Sequence, residues 1–508
     1  MRDMDTIVSL AKRRGFIFQS SEIYGGLAST YDYGPLGVEL KRNIKDIWWR
    51  TFVHQRDDIV GLDTAILMSP EVWVASGHAA GFADPLIECK NCHHRFRSDH
   101  VWVLEKDRSD KSAKKTDNDP HLLTIIASTE QEALDIVWQQ LSKKDQKEYD
   151  ENGPKFHPFG FEEYNDKSQV SCPECDIQGS LSNPRQFNLM FKTFLGPVEE
   201  EASQAYLRPE TAQGIFVNFQ NVLNSTRRKL PFGIAQIGKS FRNEITVGNF
   251  IFRTREFEQM ELEYFIFPGD DDDAFKIWIS DCLNFFTNLG IPAQNLRIRP
   301  HDTDELSHYS KATSDIEYAF PWGWGEIQGI ANRTDFDLTA HSQHSGNRLD
   351  YFDEQSGKHI IPYVIEPAAG VDRILLTFLI DAYTEEEVIT PAGKTETRIV
   401  LKLNPTIAPV KVAILPLSRN DRLVPKAREV YKLVQNHFVC QYDDAQSIGR
   451  RYRRQDEIGT PLCITVDFET IDASSGIETV TIRDRDTMKQ TRVPISKLIA
   501  SINDHLTS

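Results

Sequence analysis

The sequence predicts an α+β domain built on an antiparallel β-sheet with flanking helices, an inserted zinc-knuckle-like region, and a C-terminal α/β domain. Three observations predict it. Residues 186–400 alternate strand-like and helix-like stretches, with side-chain polarity repeating every two residues in the strands. Two Cys-x-x-Cys pairs, Cys89 with Cys92 and Cys172 with Cys175, bracket a segment whose middle, Asp107 to Asp119, is charged and of low complexity. A Pro-containing stretch, Leu403 to Pro409, resembles a linker; beyond it come the apolar strand Val410 to Leu417 and the helix-like run Leu423 to Phe438.

Taken in order, residues 1–75 form the first part of the large domain. There Leu36, Leu40, Ile44, Trp48 and Phe52 recur every four residues, one stripe of a helix. Such a stripe packs into a core or serves a subunit interface. The apolar segment Val60 to Met68 reads as a strand that Pro70 stops. Residues 76–185 are the insertion; within it His121 to Tyr149 reads as a short strand and a helix, with no chemistry assigned. Residues 186–400 are the second part of the large domain, and 405–508 the tail domain.

A length of 508 residues allows about three to four domains. Apolar content of 40 % and charged content of 26 % fit a soluble globular protein. The N-terminal residues lack an apolar run followed by a small-residue cleavage site, and the densest apolar run, Ile374 to Ile380, is far shorter than the ~20 residues of a membrane span. A cytoplasmic protein with no membrane partner is expected. Seven cysteines, an odd number, speak against a disulfide framework, and Cys282, Cys440 and Cys463 read as buried small hydrophobes. The net charge is −17, yet residues 405–508 carry 15 Lys and Arg against 13 Asp and Glu, a net of +2 that leaves −19 elsewhere. An RNA-facing surface is therefore expected in the last hundred residues.

Successive strand side chains point to opposite faces. Arg242 and Glu244 therefore project together. On the next strand Arg253, Arg255, Phe257, Gln259 and Glu261 share one face, while Met260, Leu262 and Tyr264 take the other. Two readings are open: a half-buried strand with a charged solvent face, or a nucleotide site. The second accounts for a Phe between arginines and carboxylates. Guanidinium forks grip phosphates, a ring stacks on a purine, and a carboxylate accepts an amine hydrogen.

The segment Gly233 to Glu244, with ten residues leading to Arg255-Glu256-Phe257, resembles motif 2 of the class II aminoacyl-tRNA synthetases. Pro362 to Arg373, running into Ile374 to Ile380, resembles motif 3. The amphipathic helix and the strand ending at Pro70 resemble motif 1, which implies a homodimer. Four further stretches resemble the homodimeric type of glycyl-tRNA synthetase: Leu10 to Phe16 with Tyr24-Gly25-Gly26, Leu207 to Gly214, Phe257 to Glu261, and Tyr452 to Thr460. The resemblance covers nearly the whole chain and is weakest between 105 and 165. It implies a class II catalytic domain that forms glycyl-adenylate from glycine and ATP, releases pyrophosphate and loads tRNA(Gly). The nearest rivals are a synthetase for another small amino acid and a non-catalytic, RNA-binding relative. The presence of Arg242, Arg255 and Arg373, and of the Glu210 and Glu258–Glu261 segments, speaks against both.

Carried onto this chain, the resemblance implies ATP contacts at Arg242, Asn243 and Glu244, at Phe252, Arg253, Thr254, Arg255, Glu256 and Phe257, at Glu326 and Ile327, and at Gly370, Val371, Asp372 and Arg373. Arg242 holds the α-phosphate in this reading and Phe257 stacks on adenine. Arg373 meets the γ-phosphate or covers the other purine face, Gly370 admits close backbone approach, and Glu326 ligates Mg²⁺. Arg242, Glu244 and Arg373 are the expected catalytic residues. Glycine contacts are implied at Arg97, Glu210, Phe257, Glu258, Gln259, Met260 and Glu261, and at Glu366, Pro367, Ala368, Ala369 and Gly370. Glycine offers only an ammonium and a carboxylate, so a small pocket rich in fixed charge suits it: Glu210, Glu261 and Glu366 for the ammonium, Arg97 for the carboxylate. Rejection of larger amino acids by size removes the need for an editing domain.

Cys89, Cys92, Cys172 and Cys175 can supply a structural Zn²⁺ site, although the pairs lie farther apart than usual, and His93 and His94 are rival ligands. Buried unligated thiols are the alternative. The run Ser447 to Arg454 is the densest basic stretch. It reads either as an exposed helix paired with Asp456 and Glu457, or as phosphate contacts through Arg450, Arg451, Arg453 and Arg454, with Tyr452 free to stack on a base. The surrounding domain resembles the anticodon-binding domain of glycine, histidine, proline and threonine synthetases, which implies tRNA rather than DNA as partner.

Overall fold

The computed structural model describes residues 3–106, 122–127, 129–143, 146–147, 156–197, 203–245, 248–389, 393, 395–472 and 476–507. The expected charged loop from Asp107 to Asp119 lies outside the described residues. The chain divides into two compact units: Met1–Ser76 with Glu210–Phe241 and Gly248–Ser508, and Gly77–Pro209 with Arg242–Val247.

The first unit is organised by a seven-stranded sheet of β1 (Ile59–Gly61), β2 (Phe232–Phe241), β3 (Glu256–Ile266), β4 (Leu296–Pro300), β5 (Ala312–Phe320), β6 (Gly323–Thr334) and β7 (Tyr363–Gly370). Their order is β4-β5-β6-β7-β3-β2-β1. Neighbours are antiparallel except β1 and β2, so the expected antiparallel sheet is mixed at one edge. The expected strand from Val60 to Met68 is much shorter. Pro70 does not end it but opens a helix, Pro70–Ala75, whose Ser69 cap accepts from the Glu71 amide. Proline at a first helical position loses no hydrogen bond, because that amide has no intrahelical acceptor.

Two helices begin the chain. α1 (Met4–Arg14) is closed by Gly15 in the left-handed region at φ 76°. α2 (Pro35–Trp49) buries Leu36, Leu40, Ile44 and Trp48 as expected, and one π-turn, Arg50–His54, carries the stripe to Phe52. At Gly37 a Cβ would stand 1.9 Å from the Phe16 carbonyl oxygen, so only glycine allows this helix so close to the Phe16 backbone. Further helices cover the sheet, among them α3 (Ala212–Val217), α4 (Asp271–Asn288), α5 (Phe336–Ser345) and α6 (Val371–Ala382). Met260, Leu262 and Tyr264 enter the core with Trp48, Trp278, Phe286 and Leu375 from α2, α4 and α6. Ile234 and Phe265 pack on the other side with Phe216 and Phe219. Each such side chain contributes about 1.5–3 kcal/mol by leaving water.

The C-terminal part is a mixed sheet of β8 (Val412–Pro416), β9 (Cys440–Tyr442), β10 (Leu462–Val466), β11 (Thr479–Asp484) and β12 (Gln490–Pro494), ordered β9-β8-β10-β11-β12. The pairs of β8 with β9 and β10 are parallel and the remainder antiparallel. α7 (Leu423–Gln435), α8 (Ile448–Glu457) and α9 (Leu498–Thr507) complete an α/β domain with its own core of Val412, Ile414, Val430, Ile464 and Leu498. The stretch before it is not a loose linker: Ile407, Ala408 and Val410 are buried, and the Asn43 amide donates to the Ile407 and Ala408 carbonyls at 3.1 and 3.0 Å.

In the second unit Ala83–Glu88 pairs with Arg95–Arg97 and Arg185–Asn188, and Val101–Lys106 pairs with Leu122–Ile126 and Phe156–Gly160. Helix Glu130–Gln140 follows its strand in the expected place. The expected boundary at 185 is too early. Arg185–Asn188 is a member of the first of these sheets, and the unit continues to Pro209.

Candidate active site

β3 alternates as the sequence requires. Gln259, Glu261 and Glu263 point away from the core that takes Met260, Leu262 and Tyr264, yet all three are buried. On that face β6, β7, α5 and the approach to α3 each add charge. Arg333 at the end of β6 donates through Nε and Nη2 to both oxygens of Asp337, at 2.7 and 2.9 Å, and through Nη1 to Glu366 on β7 at 2.6 Å. Its guanidinium lies over the rings of Tyr309 and Phe216, 3.9 and 5.3 Å from their centroids. The Gln213 amide donates to Glu210 at 2.9 Å and to Asp337 at 3.0 Å, and its oxygen is bonded to the His341 ring at 2.7 Å. Thr211 donates its hydroxyl to Glu261. Glu261, Glu263 and Glu366 bring carboxylate oxygens within 4.8 Å of one another.

Glu210, Glu261, Glu263, Asp337 and Glu366 are thus gathered with Arg333, which bonds two of them. Burial, followed by the charges of Glu366 and Glu210, pushes the Glu261 carboxyl up to about 8. Burial raises Glu366 to about 7 even though Arg333 opposes it. An enclosed excess of negative charge suits a small cation with several N–H donors.

The expected ATP residues divide. At the strand ends Arg373 donates to the Glu326 carboxylate at 2.9 Å and to the Glu326 and Phe252 carbonyls at 3.1 Å, and lies 4.5 Å over the Phe252 ring. Glu326 remains largely exposed beside Asp315, whose acid its charge helps, after burial, to raise to about 6. Phe257 is partly buried where β3 begins, Thr254 is buried, and Glu256 pairs with Lys239. The Arg255 guanidinium donates to the Ala28 carbonyl at 3.0 Å.

Several expected contacts point elsewhere. Ile327, Val371, Met260 and Ala369 are core residues, so only their backbone can face a ligand. Glu258 shares its face with Met260 and pairs with Lys41 and Lys45 at 3.0 and 2.8 Å. Asp372 accepts from Tyr33, from Lys41 at 2.8 Å and from the Glu258 amide at 2.9 Å. These two acids clamp α2 to β3 and α6. Gly370 is extended at φ −84°, and an added Cβ would make only an ordinary 3.7 Å contact with Arg373, so its conformation does not demand glycine. Pro367 and Ala368 lie on β7 beside Glu366, in register with Ile330 and Gly329.

The second unit holds Arg97, Arg242, Asn243 and Glu244. Arg97 pairs with Asp84 at 3.0 Å and Asp99 at 2.6 Å, so its charge is already matched. Arg242 donates to the Pro209 carbonyl at 3.0 Å and lies over the Phe82 ring; the Asn243 amide bonds the Leu189 carbonyl at 2.7 Å. Cys89, Cys92, Cys172 and Cys175 converge, with sulfur pairs 3.7 Å apart. Four thiolates about 2.3 Å from a tetrahedral Zn²⁺ stand about 3.8 Å apart, so the cluster fits that ion. Each pair turns back alike: the His93 and Asp176 amides bond the Cys89 and Cys172 carbonyls at 2.9 Å, and both residues are left-handed at φ 59° and 58°. His93 and His94 are exposed and face Glu88 and Glu174, outside the cluster.

The basic run on α8 is mostly committed to the fold. Arg451 is buried and donates to the Pro416, Asp443 and Gln446 carbonyls, and Arg454 pairs with Asp443 at 2.5 Å. Arg453 approaches Glu396 at 3.9 Å. Tyr452 bonds Thr465 at 2.6 Å under the Arg483 guanidinium and is not free to stack on a base. Arg450 alone of the four is exposed.

Sequence reasoning did not single out Arg333, Asp337, Gln213 or Glu263. A signal existed for the last: Gln259, Glu261 and Glu263 continue one face into a strand that is otherwise apolar.

Comparison with known proteins agrees with this geometry. Residues 191–383 match the model of the tRNA synthetase class II core domain (G, H, P, S and T), and residues 411–505 that of the anticodon binding domain. The glycine–tRNA ligase of Clostridium perfringens is 51 % identical over 505 residues, 99 % of each chain. That of Thermobifida fusca is 50 % identical over 498 residues, covering 97 % of this chain and 96 % of the relative. A prolyl-tRNA synthetase structure from Cryptosporidium parvum, complexed with halofuginone and AMPPNP, shares the fold at TM-score 0.59 and 13 % identity, covering 99 % of this chain and 75 % of that one. A seven-stranded class II core with a C-terminal anticodon-binding domain, at half identity over nearly the full length, settles the matter: the chain belongs to the glycine–tRNA ligase family of class II aminoacyl-tRNA synthetases.

Proposed function

We propose that the chain activates glycine with ATP, releasing pyrophosphate, and then transfers glycine to the 3′ end of tRNA(Gly). The buried carboxylate cluster carries this reading, because it gathers an excess of negative charge that suits an ammonium. Glu210, Glu261 and Glu366 accept the three N–H groups, and Arg333 fixes Glu366 in place. A methyl on the substrate's α-carbon meets rigid buried walls, which is the basis for rejecting alanine at about 1–3 kcal/mol.

The chemistry needs no protein nucleophile. The glycine carboxylate attacks the α-phosphorus in line, and fixed positive charge offsets what develops on the phosphate oxygens. In this assignment Arg242 holds the α-phosphate, with Asn243 and Glu244 beside it. Phe257 stacks on adenine and Arg373 covers its other face or reaches the γ-phosphate. Glu326, an exposed carboxylate beside Asp315, has the hard oxygen donors Mg²⁺ takes and would hold that ion, which would supply positive charge to the polyphosphate. The four-cysteine cluster holds a structural Zn²⁺ in the second unit. The α/β domain after residue 405 receives the tRNA, α2 supports a homodimer, and the protein works in the cytoplasm.

Amino-acid-dependent ATP–pyrophosphate exchange across glycine, alanine, serine and proline tests the core of this reading. Exchange with glycine, lost in folded Arg242→Ala, is expected; exchange with another amino acid, or near-normal exchange in the variant, contradicts it. Metal analysis of reduced protein should give about one zinc per chain.

A further inference from the structure

Glu263 takes no part in the steps above, yet its position is costly. Its carboxyl is fully buried, and neither oxygen has a hydrogen-bond partner among the described residues. Oxygens of Glu261 and Glu366 lie within 4.8 Å. Arg333, bonded to Asp337 and Glu366, is the counter-charge from β6, and Asp337 on α5 and Glu210 before α3 are further acids. Tyr309 faces Arg333, and His341 reaches the cluster only through the Gln213 amide.

Such a set cannot ionise completely out of water, since like charges a few ångströms apart raise one another's proton affinity. Burial above all, then Glu366, lifts Glu263 well above the ordinary carboxylate range, and the three acids titrate as a group.

We propose that Glu261, Glu263 and Glu366 hold a shared proton in the absence of substrate and release it when the substrate's ammonium enters, so that the amino acid binds by exchanging a cation for a proton. The proposal rests on the ammonium pocket assigned above. One O–H bond of a carboxylic acid breaks, the proton passes to solvent, and the carboxylate so formed accepts an N–H of the ammonium; charge is conserved and no electrons move. Glu263 acts through its two neighbours and is a positioning residue: its acid keeps the trio from ionising fully until a cation arrives.

Calorimetric titration of the full chain with glycine near pH 7, in two buffers of different ionisation enthalpy, reads the proton directly. Heats that differ as expected for about half to one proton per glycine support the exchange. Equal heats with clear glycine binding overturn it and leave the pocket assignment standing. Absence of both glycine binding and glycine-dependent exchange overturns the assignment itself. In pyrophosphate exchange, KM for glycine should fall about tenfold per pH unit between about pH 6 and 7 and level off above about pH 8; a flat profile contradicts the proposal. Glu263→Gln, an uncharged isostere, should move the levelling point down by about one pH unit and reduce the proton count. A purely structural role would change stability and leave the profile in place. Should that variant not fold, the two wild-type measurements decide.

Discussion

Two clusters of buried charge can be set side by side. In the C-terminal part Asp456, fully buried on α8, accepts from Arg398 at 2.8 Å and from both terminal nitrogens of Arg483 at 2.9 and 3.1 Å. Arg398, on the hairpin strand Thr395–Leu401, also reaches Glu386 at 2.9 Å and the Arg485 carbonyl. Every charge there has a partner of opposite sign. The proposed ammonium site is as deeply buried, but its acids outnumber the guanidinium bonded to them, and among the described residues the Glu263 carboxyl has no hydrogen-bond partner. Equal burial with opposite balance fits different uses: the matched cluster fixes the tail domain against the hairpin, and the unmatched one is the site proposed for the substrate's ammonium.

Breaking the matched cluster should have the largest effect on stability. Asp456→Ala strands two guanidinium groups out of water, which costs about 3–5 kcal/mol. Denaturant unfolding should show that loss, while glycine-dependent exchange per folded molecule stays within about twofold; a stable variant with lost exchange would reverse the contrast. The same geometry bears on removal of residues 405–508. Truncation leaves Arg398 with Glu386 alone, so a clean rise in KM for tRNA with adenylate formation retained is expected only when Arg398→Leu accompanies it.

In the unmatched cluster the signs invert. Glu261→Gln removes the cost of holding a buried carboxyl protonated above its ordinary range, so stability should hold or rise by about 1 kcal/mol. It also removes an acceptor for the ammonium, costing about 2–5 kcal/mol, or a loss of about 30- to 5,000-fold in kcat/KM for glycine. Thermal unfolding and pyrophosphate exchange on one sample separate the two effects. Lower stability with unchanged exchange would make Glu261 a structural acid.

The clusters should also answer pH oppositely, by about 1–3 kcal/mol. Glu261 and Glu366 have folded-state values raised to about 8 and 7. The native state therefore binds more protons than the unfolded chain from the ordinary carboxylate range up to those values, and stability falls as pH rises through that window. Glu386 is held low by its bond to Lys402 and then by Arg398, so its contribution is present above the ordinary carboxylate range and is lost as pH falls. Denaturant midpoints from pH 5 to 9 without substrate should decline toward the alkaline end, and glycine should flatten the decline. A midpoint rising across that span would contradict the pocket's charge excess.

What the sequence made legible follows the same division. Period-two alternation placed Met260, Leu262 and Tyr264 in the core and Glu261 opposite, and period-four spacing placed the α2 stripe, because both depend on local geometry alone. Which charged face becomes enclosed depends on partners distant in the chain. Arg333 and Asp337 resemble an exposed pair four residues apart until Tyr309 and Phe216 close over them. Arg451 reads as an RNA contact until the Pro416 carbonyl claims it. For Glu258 the alternation was informative, since it shares parity with Met260. Its place in a motif string outweighed that parity.

The clamp around Glu258 gives the smallest effect and tests the boundary between the two kinds of cluster. Lys45 and Glu258 are about a quarter or less exposed, bonded at 2.8 Å, and Lys41 remains on the other carboxylate oxygen at 3.0 Å. Water can still reach the pair, and the second lysine limits what is left uncompensated. Lys45→Ala should therefore cost no more than about 0.5–1 kcal/mol. Because Glu258 points away from the pocket, KM for glycine should stay unchanged in the same variant. A several-fold rise in that KM would mean that the α2 clamp sets the position of β3, so that even a matched, half-buried network tunes the unmatched pocket on the opposite face of the strand.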